Sequence, residues 1–472
     1  MTKKLLSLKD IYNLDITEIK SYHSDFLNTN QSKMLSKFSY AKDKFVKADG
    51  VYLYTDSGKK ILDFSGGIGV LNHGHNNQAV LDARVDFQKN KRMEVHKTVF
   101  SPYMAGLAHN IAQLLPKNLC KSFFCNSGSE SVEGAIKAAY KFHKSKRKYI
   151  LHSDISFHGK TIGAGSISGA FDQSIFPRLN NTKSFKYNDK ESVELLINDL
   201  KNENGESNIF ALIIETFNNT SLRECSYEFV EFLRDITKRN KIILIFDEVY
   251  TGWGKTGYLF HFFKYKNISP DILCTSKSLG GGKSSISAFI VDKLIYKKAY
   301  ENYSDAFLHT STYNGFGEEC ITAVVAINEL IENKLVENSK NNGLLISKKL
   351  SALKAKFPKY ISDVRGIGSI QGIVLNYSSI KLSKKVMEQV PILNKSASIM
   401  DKVPSAILSD YLYSKFDIFT IINENKNDVL LMTCPSLIIN EKEIIYFFDS
   451  LESCLETGLN KIFTNFLLKN LI

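Results

Sequence analysis

From about residue 121 onward, short runs of Ile, Leu, Val and Phe alternate with stretches of helical period. KSFFCN is followed by a helix, KYILH by a loop and IFALIIET by a helix, and then come KIILIFDE, DILCTS and SAFIVD. Strands that are apolar on both faces need cover on both faces, and crossover helices supply it in parallel sheets. The alternation therefore predicts an α/β fold with a mostly parallel sheet. Ahead of it, VYLYTDSGKKILDF (51–64) reads as a hairpin around a Thr-Asp-Ser-Gly turn. After about residue 320 a long helical pattern leads into VRGIGSIQGIVLNY, and the remainder reads as a smaller α+β domain. The expected division is a lead-in segment over 1–50, a large α/β domain over 51–320 that includes the hairpin, and a small domain over 321–472. A stretch rich in Ser, Lys and Ile near 376–405 reads as a surface insertion in that small domain.

Composition narrows the function classes. No run of 18 or more apolar residues occurs in the 472, which argues against a membrane-spanning helix. The N-terminal MTKKLLSLKDIYNLDITEIK is interrupted by Lys9, Asp10, Asp15 and Glu18 before a signal-like apolar core develops, so a cytoplasmic protein is expected. Seven scattered cysteines, none in a CxxC spacing, fit reduced core thiols and argue against a disulfide framework or a zinc cluster. The formal charge of +12 is spread over the whole length and mixed with acids. The densest cluster, KFHKSKRK at 141–148, reads as a solvated helix end, so nucleic acid is not expected as a partner. A non-enzymatic regulator that uses a basic surface finds no helix-turn-helix or compact basic arm in its support.

Three places carry chemistry. In ILCTSKSLGGGKSS (272–285) a buried strand runs to Lys277 and then to Gly280, Gly281 and Gly282. Desolvation lowers the pKa of such a lysine and makes its amine nucleophilic, and the glycines let backbone approach a ligand closely. In FFCNSGSESVEGAIKAAYKFH (123–143) a strand, a small-residue turn and a helix follow one another, with Val132, Ala135, Ile136 and Ala139 on one helical face. Ser127 or Ser129 can cap that helix, and the amides of Gly128 and Ser129 can cradle a phosphate. In IILIFDEVYTGWGKTG (242–257) Asp247 and Glu248 close another buried strand, where carboxylates reach the ligand crevice of an α/β sheet. An amine, a phosphate cradle and a buried acid together meet the needs of pyridoxal phosphate: a Schiff-base partner, phosphate donors and a partner for its ring nitrogen.

The stretches DFSGGIGVLNHGHNN, FFCNSGSESVEGAIKAA, FHGKTIGAGSISG, DEVYTGWGKTG, SKSLGGGKSSISA, HTSTYNG and VRGIGSIQGI occur in that order over roughly 45–375, with a return near 430–440. In these the chain resembles the class III, or ω-amino, aminotransferases among the fold type I pyridoxal-phosphate enzymes, with wording nearest the putrescine and ornithine types. The resemblance implies a large domain built on a mostly parallel seven-stranded sheet, pyridoxal 5′-phosphate as cofactor, and a homodimer with composite sites to which the N-terminal segment adds contacts. It implies Lys277 as the Schiff-base lysine and Asp247 as the ring-nitrogen partner. Ser127, Gly128 and Ser129 fall at the phosphate, Phe157 stacks on the cofactor with His158 beside it, and Val249 supports the ring from the other face. Glu215 matches the acid that opens the family's Glu-Pro motif, with Thr216 in place of the proline. Thr312 is implied to reach the phosphate of the neighbouring subunit.

Departures from the family pattern carry their own expectations. Tyr250 stands where the family usually has a glutamine facing the ring 3′-oxygen, and is expected to contact the cofactor. MTCPSL (432–437) replaces RFxPPL, so Met432 stands where an arginine commonly binds the substrate α-carboxylate. Thr220 stands where the ornithine type has the glutamate that pairs with that arginine. Removing both ends of an ion pair strands no charge, which points to a coherent change of specificity, with Lys160 as a substitute point charge. The expectation is an aminotransferase acting on a terminal primary amine of a diamine, an ω-amino acid or a larger metabolite, with 2-oxoglutarate a poorer acceptor than pyruvate or another small oxo acid. Epimerases, mutases and ammonia lyases on the same scaffold share Lys277 and Asp247 and form the alternative. STYNGF with Glu318 replaces the family's GGNP after Thr312, and Arg365 in the RGIG turn is expected to be structural.

Overall fold

In the computed structural model, which describes residues 5–169, 177–376, 397–424 and 429–471, the expected hairpin forms. It follows β1 (Phe45–Asp49) as β2 (Tyr52–Thr55) and β3 (Lys60–Asp63), all antiparallel, with Tyr52 opposite Leu62. Gly58 supplies the positive φ that the turn between the last two strands requires.

The alternation from residue 121 produces seven strands in one sheet. These are β4 (Leu119–Cys125), β5 (Tyr149–Ser153), β6 (Thr182–Phe185), β7 (Ile209–Ile214), β10 (Ile243–Glu248), β11 (Ile272–Thr275) and β12 (Ser287–Asp292), and the short β8 (Phe217–Asn218) and β9 (Arg223–Glu224) pair with each other in the loop after β7. The sheet order is β4-β12-β11-β10-β7-β5-β6, with β12 antiparallel to both neighbours and the remaining pairs parallel. The sequence runs named above contain six of these strands. The seventh, β6, is TKSF at the sheet edge, where only Phe185 is buried, so it carries no apolar run to be read.

Both faces of the sheet are covered, as the strand composition requires. Ile243 and Ile245 face one way, against Val132, Ala135 and Ala139 of the helix Gly128–Phe142. Leu244 and Phe246 face the other way, against Phe229, Val230 and Leu233 of the helix Tyr227–Arg239. Side chains of this size stabilise by about 1.5–3 kcal/mol each when fully buried. The first helix approaches the sheet closely because Gly134 has no side chain: a Cβ there would lie 2.2 Å from a ring carbon of Phe289.

After the helices Gly317–Glu332 and Leu335–Lys356 come β13 (Ile361–Ile367), β14 (Ile370–Leu375), β15 (Ile418–Phe419), β16 (Ile421–Glu424) and β17 (Val429–Thr433). Four of them form an antiparallel sheet in the order β13-β14-β17-β16, while β15 pairs in parallel with β3. A second core joins Val51, Leu62 and Phe64 of the N-terminal hairpin to Ile346, Ile373, Leu431 and Phe447 of this C-terminal part. Most of the stretch near 376–405, residues 377–396, lies outside the described residues, and the helix Ala397–Phe416 follows it. No helix among the described residues is long and apolar enough to cross a membrane.

Candidate active site

The carboxyl ends of β10 and β11 set the site. They are parallel neighbours with Asp247 opposite Cys274, which brings the acid of one strand and the lysine just past the other to the same edge of the sheet. Lys277 does not end the strand itself. It opens a short 3₁₀ turn, Lys277–Gly280, with φ +48, a left-handed conformation that a side-chain-bearing residue rarely adopts. Gly281, also left-handed, closes the turn. A Cβ on Gly281 would meet Ala326 at 2.9 Å, so the glycines serve the close packing of this turn as well as its conformation.

Asp247 is buried and fully engaged by the protein on one side. Its Oδ2 lies 2.7 Å from Nδ1 of His158, and its Oδ1 accepts the Val249 N–H at 2.9 Å. His158 is held in turn by its own backbone N–H, which donates to Ser168 Oγ at 2.8 Å. The His158 Nε2 is buried with no partner among the described residues. Sequence reasoning places His158 beside Phe157 at the cofactor; the geometry sets it against Asp247, whose carboxylate it orients.

Burial pulls the Lys277 amine below the usual lysine range, while Asp247, Cys434 and Glu215 draw it back up. The Nζ lies 5.2 Å from the centroid of the Tyr250 ring. Tyr250 is itself buried, and its hydroxyl has no oxygen or nitrogen partner among the described residues; the Cys434 thiol is the polar group beside it. Glu215 accepts the Phe157 N–H at 2.9 Å and the Asn218 Nδ2–H at 2.7 Å through one oxygen. Burial, helped by Asp247, raises its carboxyl to about 7, against the opposing pull of His158.

The helix that faces this edge begins with a reciprocal cap: Ser127 Oγ accepts the Glu130 N–H while Glu130 accepts the Ser127 N–H. Ser127 is therefore the cap, and Ser129 is free for another role. Such a box stabilises the helix start by about 1 kcal/mol and leaves the amides of Gly128 and Ser129 without intrahelical acceptors. The helix end sits tightly on the strand end, since a Cβ at Gly128 would lie 2.7 Å from Val249 Cγ1. Ser129 packs equally closely on the loop of Phe157 and His158: a Cβ at Gly159 would lie 2.2 Å from Ser129 Oγ. Asp247, Lys277, Tyr250, Glu215, Phe157, His158, Val249, Gly128 and Ser129 thus converge. Thr312 is exposed, in a loop whose Tyr313 carbonyl accepts a hydrogen bond from Asn126 Nδ2 at 3.0 Å, one residue before the helix cap.

Met432 and Thr220, at the departures from the family pattern, are both buried. Met432 belongs to a buried apolar cluster with Phe217, Leu222, Tyr250, Ile370, Val374 and Leu430. Thr220 is buried and its hydroxyl donates to the Ile155 carbonyl at 3.1 Å. Arg365 spans from Asp363 Oδ2, at 2.7 Å, to the Ser221 carbonyl at 3.4 Å, and so ties β13 to the loop that carries Thr220. Three further residues at this edge, Lys255, Ser278 and Cys434, escaped the sequence reading; Lys255 stands in the quoted TGWGKTG, but neither period nor spacing distinguishes it from a surface lysine.

A sequence profile of the family described as Aminotransferase class-III matches residues 39–455. The chain belongs to the class III aminotransferases. Among related aminotransferases, the acetylornithine aminotransferase of Clostridium acetobutylicum is 31% identical over 377 residues, covering 77% of this chain and 91% of its own. The putrescine aminotransferase of Pectobacterium atrosepticum is 31% identical over 365 residues, covering 75% and 76%. In fold, a transaminase from the marine bacterium Virgibacillus superposes with a TM-score of 0.78 at 22% identity, over 89% of this chain and 94% of the other. The ornithine aminotransferase of Toxoplasma gondii superposes with a TM-score of 0.78 at 19% identity, over 97% and 99%. The seven-stranded α/β architecture is that of the fold type I enzymes.

Class III aminotransferases depend on pyridoxal phosphate, and the residues of this edge fit that group. The lysine with a lowered pKa, the carboxylate oriented by His158, the two amides without intrahelical acceptors and the Tyr250 hydroxyl, which has only the Cys434 thiol beside it, are the groups the cofactor would call on. The enzyme is an aminotransferase, moving an amino group from a donor amine to an oxo acid.

Proposed function

We propose that this aminotransferase acts on a terminal primary amine, that Lys277 and Asp247 carry its chemistry, and that small oxo acids such as pyruvate serve it better as acceptors than 2-oxoglutarate does. The observation that carries the assignment of Lys277 and Asp247 is their convergence from adjacent parallel strands, with the acid fixed by His158 and the lysine desolvated.

The bound cofactor supplies a ring that accepts electrons from a carbanion at the substrate carbon. Each protein group then has a task set by its surroundings. Lys277 Nζ, with its charge disfavoured by burial, would attach the cofactor, and its amine is the group placed to accept and return a proton at the substrate carbon. Asp247 would face the ring nitrogen; the His158 contact and the Val249 amide hold both of its oxygens in place. Gly128 and Ser129 offer backbone donors to the phosphate at the positive end of a capped helix. Phe157, anchored through its amide to Glu215, and Val249 would hold the ring from its two faces, and the Tyr250 hydroxyl would be available to its ring oxygen.

The acceptor preference rests on Met432 and Thr220. Both acceptors carry an α-carboxylate; what separates them is the second carboxylate of 2-oxoglutarate, which wants a charged partner. Here the wall at Met432 is an apolar cluster while Thr220 is engaged with backbone. We place Thr312 in the neighbouring subunit's site in a homodimer. Phe100 and Tyr303 are fully exposed, and Phe307, Tyr313, next to Thr312, and Ile68 are largely so; a second copy is the occupant that would cover such apolar side chains. Sedimentation velocity checks the dimer.

The test is a panel of diamines, ω-amino acids and larger amines added to the purified holoenzyme, with the visible absorbance of the bound cofactor followed and the oxo-acid product identified. A terminal amine is expected to bleach the spectrum, and kcat/KM for pyruvate is expected to exceed that for 2-oxoglutarate by about tenfold or more, the worth of one lost charged hydrogen bond. Rapid turnover of 2-oxoglutarate at low concentration overturns the acceptor assignment. Product formed by racemisation or ammonia loss, with no amino transfer, overturns the reaction itself.

A further inference from the structure

Lys255 is buried to 1% exposure, the only lysine among the described residues in the buried class. Such a residue is costly without a reason for its burial. Its Nζ donates to Ser278 Oγ at 2.5 Å and lies 3.4 Å from the Gly252 carbonyl. Ser278 immediately follows Lys277, and its own hydroxyl proton goes to the Gly69 carbonyl at 3.0 Å. The amine is therefore the outer member of a chain that links it to the Lys277 turn and on to the glycine turn of residues 66–69. A Cβ at Gly69 would lie 2.9 Å from the Tyr250 ring and 3.2 Å from Lys255 Cε, so that turn is packed on the same side chains.

The backbone of Lys255 is held from the other side. Its carbonyl accepts Ser339 Oγ at 2.9 Å from the helix Leu335–Lys356, and Ser369 Oγ at 3.0 Å and the Ser369 N–H at 2.8 Å from the turn between β13 and β14. A Cβ at Gly368 would lie 2.3 Å from that carbonyl, so the C-terminal hairpin grips this one peptide. A neighbouring residue adds a further tie, since Trp253 Nε1 donates to Thr275 at the end of β11 at 2.8 Å.

We propose that Lys255 is a positioning residue: gripped through its carbonyl by the C-terminal hairpin and helix, it fixes the Lys277 turn through Ser278, and its charge acts directly on Lys277. This inference rests on the reading of Lys277 as the cofactor's attachment point. Burial and the neighbouring Lys277 pull the Lys255 amine down to about 7 while Cys434 opposes them, so it is partly charged at neutral pH. The titratable groups facing it are Lys277, Cys434 and Tyr250, with His73 also within electrostatic reach.

The test uses full-length holoenzyme and three variants: Lys255→Met, which keeps length but removes donor and charge, Lys255→Arg, which makes the charge permanent, and Ser278→Ala, which removes the link. Three readouts are taken: borohydride labelling of the Lys277 peptide, the pH midpoint of the bound cofactor's visible spectrum, and kcat with KM for a responding amine. A cation beside Lys277 disfavours a second positive charge there, so the midpoint is expected to rise in Lys255→Met and fall in Lys255→Arg, each by about half to one pH unit. In Lys255→Met and Ser278→Ala, kcat is expected to fall about tenfold with KM within about twofold. Midpoints that stay put, or that move the same way in both Lys255 variants, overturn the inference while labelling at Lys277 leaves the functional reading standing. Absence of label at Lys277 in the unsubstituted enzyme overturns both. If Lys255→Met does not fold, an unchanged kcat in Ser278→Ala refutes the link by itself.

Discussion

Replacing Glu215 by glutamine tests the electrostatics of the site where they are strongest. Glu215 is buried beside Asp247, and burial lifts its carboxyl from 4.5 to about 7. The folded state thus holds the proton more tightly than the unfolded chain does. Stability from this group is fully present below pH 4.5 and is lost as pH rises through 7. At about 1.4 kcal/mol per unit of difference, the loss relative to a permanently neutral side chain is about 1 kcal/mol at pH 5 and about 3 kcal/mol at pH 8. Glutamine keeps the acceptor oxygen for the Phe157 and Asn218 donors and cannot ionise. For 472 residues at about 2.1 cal/mol/K each, the unfolding entropy is about 1 kcal/mol/K, so each kcal/mol moves the midpoint by about 1 °C. Thermal midpoints of wild type and Glu215→Gln, measured side by side, are expected to differ by about 1 °C at pH 5 and about 3 °C at pH 8, with the variant higher. A difference that is flat across pH 5–8 refutes a raised Glu215 and the burial that causes it.

Other expectations follow from the same contacts. Asp247→Asn keeps the shape that His158 and Val249 hold but loses the charge; kcat is expected to fall by about 100-fold or more while the protein still folds and binds cofactor, and near-normal turnover contradicts the role given to Asp247. Gly134→Ala drives a methyl into Phe289, which stacks on Phe123 with centroids 4.8 Å apart. It is expected to destabilise by about 1–3 kcal/mol with KM unchanged, and an unaltered thermal midpoint rejects the packing argument. Gly128→Ala displaces Val249 by the same reasoning, and cofactor retention measured by gel filtration or dialysis is expected to fall about tenfold.

The fold was legible wherever burial demanded apolar side chains. IFALII and ILIFDE are buried along their whole length, and their runs mark β7 and β10 without ambiguity. The TKSF edge strand escaped because an edge needs only one anchored side chain. At the site, Lys277, Asp247 and the Gly128 helix start were readable because each stands at the end of an apolar run, where chain direction alone points to the crevice. The left-handed turn at Lys277 was not readable, because it is set by the packing of Gly281 on Ala326 and by the Ser278 bond to Gly69, partners distant in sequence. The contact of His158 with Asp247 shows the same limit, and so does Lys255. One orients a carboxylate 89 residues away and the other bonds a serine 23 residues away, and no local pattern marks either.

Hydride reduction of the native yellow enzyme followed by peptide mapping addresses the central assignment most directly. A pyridoxyl adduct on the peptide that spans Ser276–Gly282, lost in Lys277→Ala, is the predicted result. An adduct on Lys255 or any other lysine, or none at all in cofactor-loaded protein, contradicts it.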